Sequence, residues 1–148
     1  MTDRRKLLLV NGPNLNLLGS RQPEVYGTVT LSDIEKLATA TAAEYGLDVR
    51  AVQSNHEGVL IDEIHLARLD CCGVVINPGA FTHTSIAIAD ALSAVDLPVA
   101  EVHLTNIFRR ESFRHHSYVS AVAEVVIAGA GADGYAAAVR HLARERRS

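Results

Sequence analysis

An α/β fold, built on a five-stranded parallel sheet with helices on both faces, is predicted by three features of the sequence. Five apolar runs, at 7–10, 47–52, 74–76, 99–102 and 122–127, have the length and composition of strands. Between them lie helical spacings: Ile34, Leu37, Ala38 and Tyr45; Leu60, Ile64 and Ala67; Ile86 and Ala89; Tyr135, Val139 and Leu142. Strand and helix alternate throughout, the pattern of parallel strands joined by right-handed crossovers. At 148 residues and 48% hydrophobic content, residues 1–148 fit one flavodoxin-like domain. A core of that size buries about 70% of the unfolded surface.

The first and third runs are unbroken apolar, as in strands covered on both faces, whereas Leu47-Asp-Val-Arg-Ala-Val alternates and suits a sheet edge. After the first run comes a long connection, Asn11 to Gly27, which precedes a capping box at Thr30-Leu-Ser-Asp33. Such connections usually take about 2 to 6 residues. This one gathers Asn11, Asn14, Asn16, Arg21 and Tyr26 between Gly and Pro, the composition of a functional lid. The third run opens into Asn77-Pro-Gly-Ala-Phe-Thr-His83, with a helix expected to begin near Thr82 and to form an anion site. The fourth ends in Glu101-Val-His-Leu-Thr-Asn106. In doubly wound sheets ligands bind beyond the carboxyl ends of the strands, where the strand order reverses, and all three polar loops belong to that edge.

Composition narrows the function. Net charge is -3 and the basic residues do not interleave with aromatics, so no nucleic-acid footprint is present. No apolar run approaches the ~20 residues of a membrane span and the amino terminus lacks a signal core, which gives a cytoplasmic expectation. Cys71 and Cys72 are adjacent and read as small buried residues near a strand start rather than a cross-link or a metal pair. His56, His115 and His116 have no ligand-like spacing, and neither metal nor cofactor is inferred. Arg140, Arg144, Arg146 and Arg147 read as the solvated end of a last helix.

The chemistry lies in the loops. Glu101 and His103 stand two apart, on the same side of an extended strand. A carboxylate beside an imidazole fixes its tautomer and favours the proton, which makes His103 a candidate general acid; a buried histidine satisfied by glutamate is the plainer reading. Tyrosine, with an ordinary pKa of about 10, is a poor base at neutral pH. A guanidinium such as Arg21 near Tyr26 favours phenolate and supplies the strong base; on spacing alone, an exposed Tyr beside a solvated Arg is equally consistent. His83 and Asp90, seven apart, would share a helix face towards a ligand or a neighbouring subunit. Arg110 and Arg114 offer guanidiniums to a carboxylate, with Arg109 an alternative to Arg110. Base, acid and anion anchors together fit elimination of water from a hydroxy ketone.

Six ordered stretches stand out along the chain: Asn11-Gly-Pro-Asn-Leu-Asn-Leu-Leu-Gly-Ser-Arg21, Tyr26-Gly27, Gln53-Ser-Asn-His-Glu-Gly58, Asn77-Pro-Gly-Ala-Phe-Thr-His-Thr-Ser85, Glu101-Val-His-Leu-Thr-Asn106 and Arg110-Glu-Ser-Phe-Arg114. Through them the chain resembles type II 3-dehydroquinate dehydratase over nearly its whole length. The resemblance implies a shikimate-pathway enzyme that takes 3-dehydroquinate to 3-dehydroshikimate and water without a cofactor, assembled as a dodecamer of trimers. It places the base on Tyr26, the transition-state-stabilising arginine on Arg21, the general acid on His103 oriented by Glu101, and the residue that holds the enolate-stabilising water on Asn14. Substrate contacts fall on Asn77, His83, Asp90, Leu104, Thr105 and Arg114, with Asp90 a candidate for a neighbour's site. Phe81, Leu104 and Thr105 stand where Tyr, Ile and Ser are frequent, and none of these removes a catalytic group.

The competing class is a non-catalytic small-anion-binding module of flavodoxin-like fold. A phosphate-accepting receiver would need clustered acids after the first strand, and a flavin binder a hydroxyl- and Gly-rich loop; Asn11-Gly-Pro-Asn is neither. Lysine occurs only at Lys6 and Lys36, neither in the polar loops, so the elimination is expected to run through an enolate rather than an imine. Turnover should therefore survive borohydride added in the presence of substrate. Inactivation with a reduced adduct on either lysine, read by mass spectrometry, would contradict the enolate route.

Overall fold

The computed structural model describes residues 4–20 and 23–145, the side chains of Val25, Tyr26 and Glu145 excepted. Five strands, β1 (Lys6–Asn11), β2 (Asp48–Gln53), β3 (Cys71–Asn77), β4 (Val99–His103) and β5 (Val125–Ala128), form one parallel sheet in the order β2-β1-β3-β4-β5. This is the flavodoxin-like order, with its reversal between β1 and β3. A short helix α1 (Pro23–Tyr26) follows the first loop, and the crossovers are α2 (Leu31–Ala43), α3 (Glu57–Asp70) and α4 (Ile86–Val95), with α5 (Asp133–Glu145) last. None of the described helices is long and apolar enough to cross a membrane.

Period-two alternation along the buried strands sorts the core into two layers. Leu7, Leu9, Val75, Ala100 and Val102 face Ile34 and Ala38 of α2 and Tyr135, Val139 and Leu142 of α5. Leu8, Val10, Val74, Ile76 and Val99 face Leu60 and Ile64 of α3 and Ile88 and Leu92 of α4. β2 is an edge strand, as its alternating sequence predicts, and it is only partly buried. Cys71 and Cys72 open β3, Cys71 fully buried. Burial, reinforced by the neighbouring Asp70 carboxylate, pushes the Cys71 thiol up to about 12.

Three expectations are corrected. The fifth strand starts at Val125 rather than Val122, because the chain turns through a 3-10 segment at Val119–Ala121 and joins the sheet only where the Glu124 amide reaches the Val99 carbonyl at 2.8 Å. α4 starts not near Thr82 but at Ile86: Gly79–His83 is a separate 3-10 turn, and Ser85 caps the helix by accepting from the Ile88 amide at 2.9 Å. The inward face of α4 is Ile88, Ala91, Leu92 and Val95, with Ile86 57% exposed. Eight of the ten residues of Ile-Ala-Ile-Ala-Asp-Ala-Leu-Ser-Ala-Val are apolar, so the helix carries little phase information in its sequence. The capping box at Thr30 and Asp33 forms as expected, with bonds of 3.1 and 3.0 Å.

At the carboxyl edge Asn11 stands in register with Gln53 of β2 and Asn77 of β3. Beyond the strands the Gly12 amide still reaches the Asn77 carbonyl at 2.8 Å. The contact is so close that a Cβ on Gly12 would sit 2.1 Å from the Pro78 carbonyl oxygen. Both sides of this clash are backbone, so Gly12→Ala must part the two loops. It is expected to destabilise the fold by about 1–3 kcal/mol or more and to weaken substrate binding; a urea midpoint equal to that of the parent protein would contradict this.

Candidate active site

Beyond β1, β3 and β4 lies a cavity of about 230 Å³. The first loop supplies Pro13, Asn14, Leu15 and Leu18, the turn after β3 supplies Asn77, Gly79, Ala80 and His83, and β4 with its loop supplies His103, Leu104, Thr105, Ile107, Arg110 and Arg114. Eight of the residues singled out in the sequence, Asn14, Asn77, His83, His103, Leu104, Thr105, Arg110 and Arg114, thus line one cavity. Glu101 lies behind His103, fully buried. Asp90 does not line this cavity: it is exposed on α4, and because α4 begins only at Ile86 it does not share a helix with His83. Arg21 and the side chain of Tyr26 lie outside the described residues.

The His103 ring bonds through Nε2 to Glu101 Oε2. Glu101 is also the acceptor for Ser117 Oγ at 2.8 Å and Ser120 Oγ at 2.6 Å. Burial alone would push the Glu101 carboxyl up; the bonds from His103, Ser120 and Ser117 outweigh it and hold the group below its ordinary value. An ionised Glu101 takes the proton-bearing face of the imidazole, so Nδ1 is the nitrogen that remains for the cavity.

The loops around the cavity are tied down as well. Asn14 adopts a left-handed backbone, φ 69°, a conformation asparagine tolerates better than most residues, and its backbone N–H donates to Asn55 Oδ1 at 2.9 Å. Gln53 Nε2 donates to the Gly12 carbonyl at 3.1 Å, so the end of β2 grips the same loop. His83 Nδ1 donates to the His116 carbonyl at 2.7 Å, which leaves Nε2 as the acceptor in the neutral ring. Arg114 uses Nε to hold Glu111 Oε2 at 2.7 Å, so its terminal amino groups are not spent on that bond. Of the neighbouring arginines, Arg110 lines the cavity, whereas Arg109 is exposed and does not. Among the described residues no group of three or more His, Cys, Asp or Glu is placed to hold a metal ion.

Residues 5–143 match the family model for class II dehydroquinase. The chain belongs to that family. A 3-dehydroquinate dehydratase of Cereibacter sphaeroides is 59% identical over 136 residues, 92% of each chain. A protein of Aspergillus flavus named catabolic 3-dehydroquinase 2 is 62% identical over 135 residues, 91% of this chain and 90% of that one. Among solved structures, the type II dehydroquinase of Propionibacterium acnes superposes with a TM-score of 0.90 at 45% identity, covering 97% of this chain and 99% of the other.

Ser117 and Ser120 were not identifiable as partners of Glu101 from the sequence, since serines are common and these lie 16 and 19 residues away. The apolar lining of Leu15, Leu18 and Ile107 has no sequence signal either, because isolated aliphatic residues in a loop carry no pattern. A carboxyl held low in the fold stabilises it above its unfolded value of about 4.3, and that contribution is lost as pH falls through the folded value. Ser120→Ala removes one donor and is expected to cost about 1–3 kcal/mol at neutral pH and to move the acid-unfolding midpoint upward. Acid titrations that superimpose for the variant and the parent would rule out this support of the carboxylate.

Proposed function

We propose that residues 1–148 form a single catalytic domain that dehydrates 3-dehydroquinate to 3-dehydroshikimate, a step of the shikimate pathway carried out in the cytoplasm. The observation that carries this reading is the convergence of a Glu101-supported His103 with Asn14, Asn77, His83 and Arg114 around one cavity, in a chain of the class II dehydroquinase family.

In the proposed reaction Tyr26, as phenolate favoured by Arg21, takes a proton from the carbon next to the substrate ketone. The C–H electron pair becomes an enolate, and Asn14 holds a water over its oxygen. The enolate then re-forms the ketone, its electrons make the new C=C bond, and the C–O bond to the β-hydroxyl breaks. His103 gives its Nδ1 proton to the leaving oxygen, so that water departs, and Glu101 stabilises the imidazolium before this transfer. Arg114 faces the substrate carboxylate, and Asn77, His83, Leu104 and Thr105 bind its ring and hydroxyls. Asp90 serves the cavity of a neighbouring subunit in a dodecamer of trimers, a reading supported by its exposure on α4 away from its own cavity.

The test is ultraviolet detection of the conjugated product, with Tyr26→Phe as the decisive variant. Loss of the base should lower kcat by roughly 10²–10⁴-fold with little change in thermal midpoint. Arg21→Ala should lower activity and move the basic requirement in the pH profile upward, with only partial recovery in Arg21→Lys. A parent protein that binds 3-dehydroquinate without forming product would instead identify a small-anion-binding module, and near-parental turnover in Tyr26→Phe would remove Tyr26 from the base role.

A further inference from the structure

Three side chains from three distant parts of the chain meet beneath the cavity. Asn77 Nδ2 donates to Tyr135 Oη at 2.8 Å, and Tyr135 Oη donates to Asn11 Oδ1 at 2.7 Å. Tyr135 and Asn11 have no solvent exposure, and Asn77 is 3% exposed. Of the three, only Asn77 lines the cavity.

The direction of this chain is set by a fourth group. Asn77 Oδ1 accepts from the Gly79 amide at 3.1 Å, and a backbone N–H can only donate. That bond fixes which end of the carboxamide is oxygen, so the nitrogen must face Tyr135. The phenol has one proton, which it gives to Asn11, and it therefore meets Asn77 as an acceptor. Of the two Nδ2 hydrogens one is used on Tyr135, and the other remains for whatever occupies the cavity. Asn11 Nδ2, at the far end, is buried with no hydrogen-bond partner among the described residues. A leucine in its place would avoid that cost but would leave the Tyr135 proton without its acceptor. Burial pushes the Tyr135 phenol above its ordinary value, so at neutral pH the phenol carries this proton.

We infer that Tyr135 is a positioning residue: through Asn77 it makes this wall of the cavity a hydrogen-bond donor, selecting a substrate that places an acceptor oxygen, hydroxyl or carbonyl, against it. The inference rests on the proposed contact between Asn77 and substrate. Tyr135 touches no substrate itself and acts from α5, on the α2 and α5 side of the sheet.

The experiment compares Tyr135→Phe, Asn11→Ala, Asn77→Ala and the Tyr135→Phe/Asn77→Ala double variant by steady-state kinetics and thermal midpoint. Removing the phenol hydroxyl leaves Asn77 Nδ2 without its inner acceptor, so the carboxamide is held through the Gly79 amide alone and its donor is less well aimed; KM for 3-dehydroquinate should rise by about tenfold while kcat per folded active site changes by less than about threefold. Asn11 does not line the cavity, yet Asn11→Ala should raise KM in the same direction, because the phenol proton, released from its acceptor, can turn towards Asn77 Nδ2 and weaken that bond. In the Asn77→Ala background Tyr135→Phe should change KM by less than about twofold. A purely structural tyrosine gives another result: a lower thermal midpoint with KM unchanged in Tyr135→Phe and Asn11→Ala, which overturns the inference even if Asn77→Ala raises KM. If Asn77→Ala itself leaves KM unchanged, the proposed substrate contact fails and the inference falls with it. Should Tyr135→Phe not fold, Asn11→Ala decides alone, since its ring packing is intact.

Discussion

A carboxylate with no access to water survives in a folded protein only if donors surround it, and the arrangement around Glu101 follows from that requirement. His103 supplies one donor and the two serines supply the others, which obliges the segment from Ser117 to Ser120 to lie against the end of β4. With its proton committed to Glu101, Ser117 Oγ accepts from Thr82 Oγ1 at 3.2 Å, and the Tyr118 amide donates to the Thr82 carbonyl at 2.9 Å. The turn that presents His83 is tied down by the same segment, and the His116 carbonyl orients the His83 ring. One buried charge thus determines the placement of two loops and two imidazoles.

The sheet divides this labour by the parity of its strands. In β4, Val99, Glu101 and His103 point to the α3 and α4 side, while Ala100 and Val102 point to α2 and α5. In β1 and β3 the terminal Asn11 and Asn77 fall on the α5 side, where Tyr135 meets them. His103 is therefore supported from one layer and the Asn77 carboxamide from the other, and the cavity lies where the two systems reach the sheet edge. Each apolar layer ends in one polar anchor, a serine pair or a tyrosine, that closes the hydrogen bonds of the strand ends below it.

Much of this could be read from the residues. Unbroken apolar runs gave the central strands, alternation marked β2 as an edge, and the two-residue spacing of Glu101 and His103 implied a shared side because strand geometry leaves no other choice. The sequence was weaker wherever a residue type carries little positional information. The uniformly apolar α4 hid its inward face, and Val122 and Ala123 pack on the core from a turn although they resemble the start of a strand. Ser117, Ser120 and Tyr135 act across 16, 19 and 58 residues or more, and no local pattern reports contacts of that range. Asp90 was paired with His83 on the assumption of one continuous helix, an assumption the Ser85 cap removes.

The bond between Tyr135 and Asn11 spans 124 residues, nearly the whole chain, and that separation has a temporal side. During synthesis the first strand is made long before α5 exists; at about 5–20 residues per second, the 124 steps from Asn11 to Tyr135 take roughly 6–25 s. Throughout that interval the carboxamides at the ends of β1 and β3 lack their common partner. The nascent chain can pair its strands early, but the hydrogen bonds that join Asn11, Tyr135 and Asn77 close only once α5 has been made and docks on the sheet.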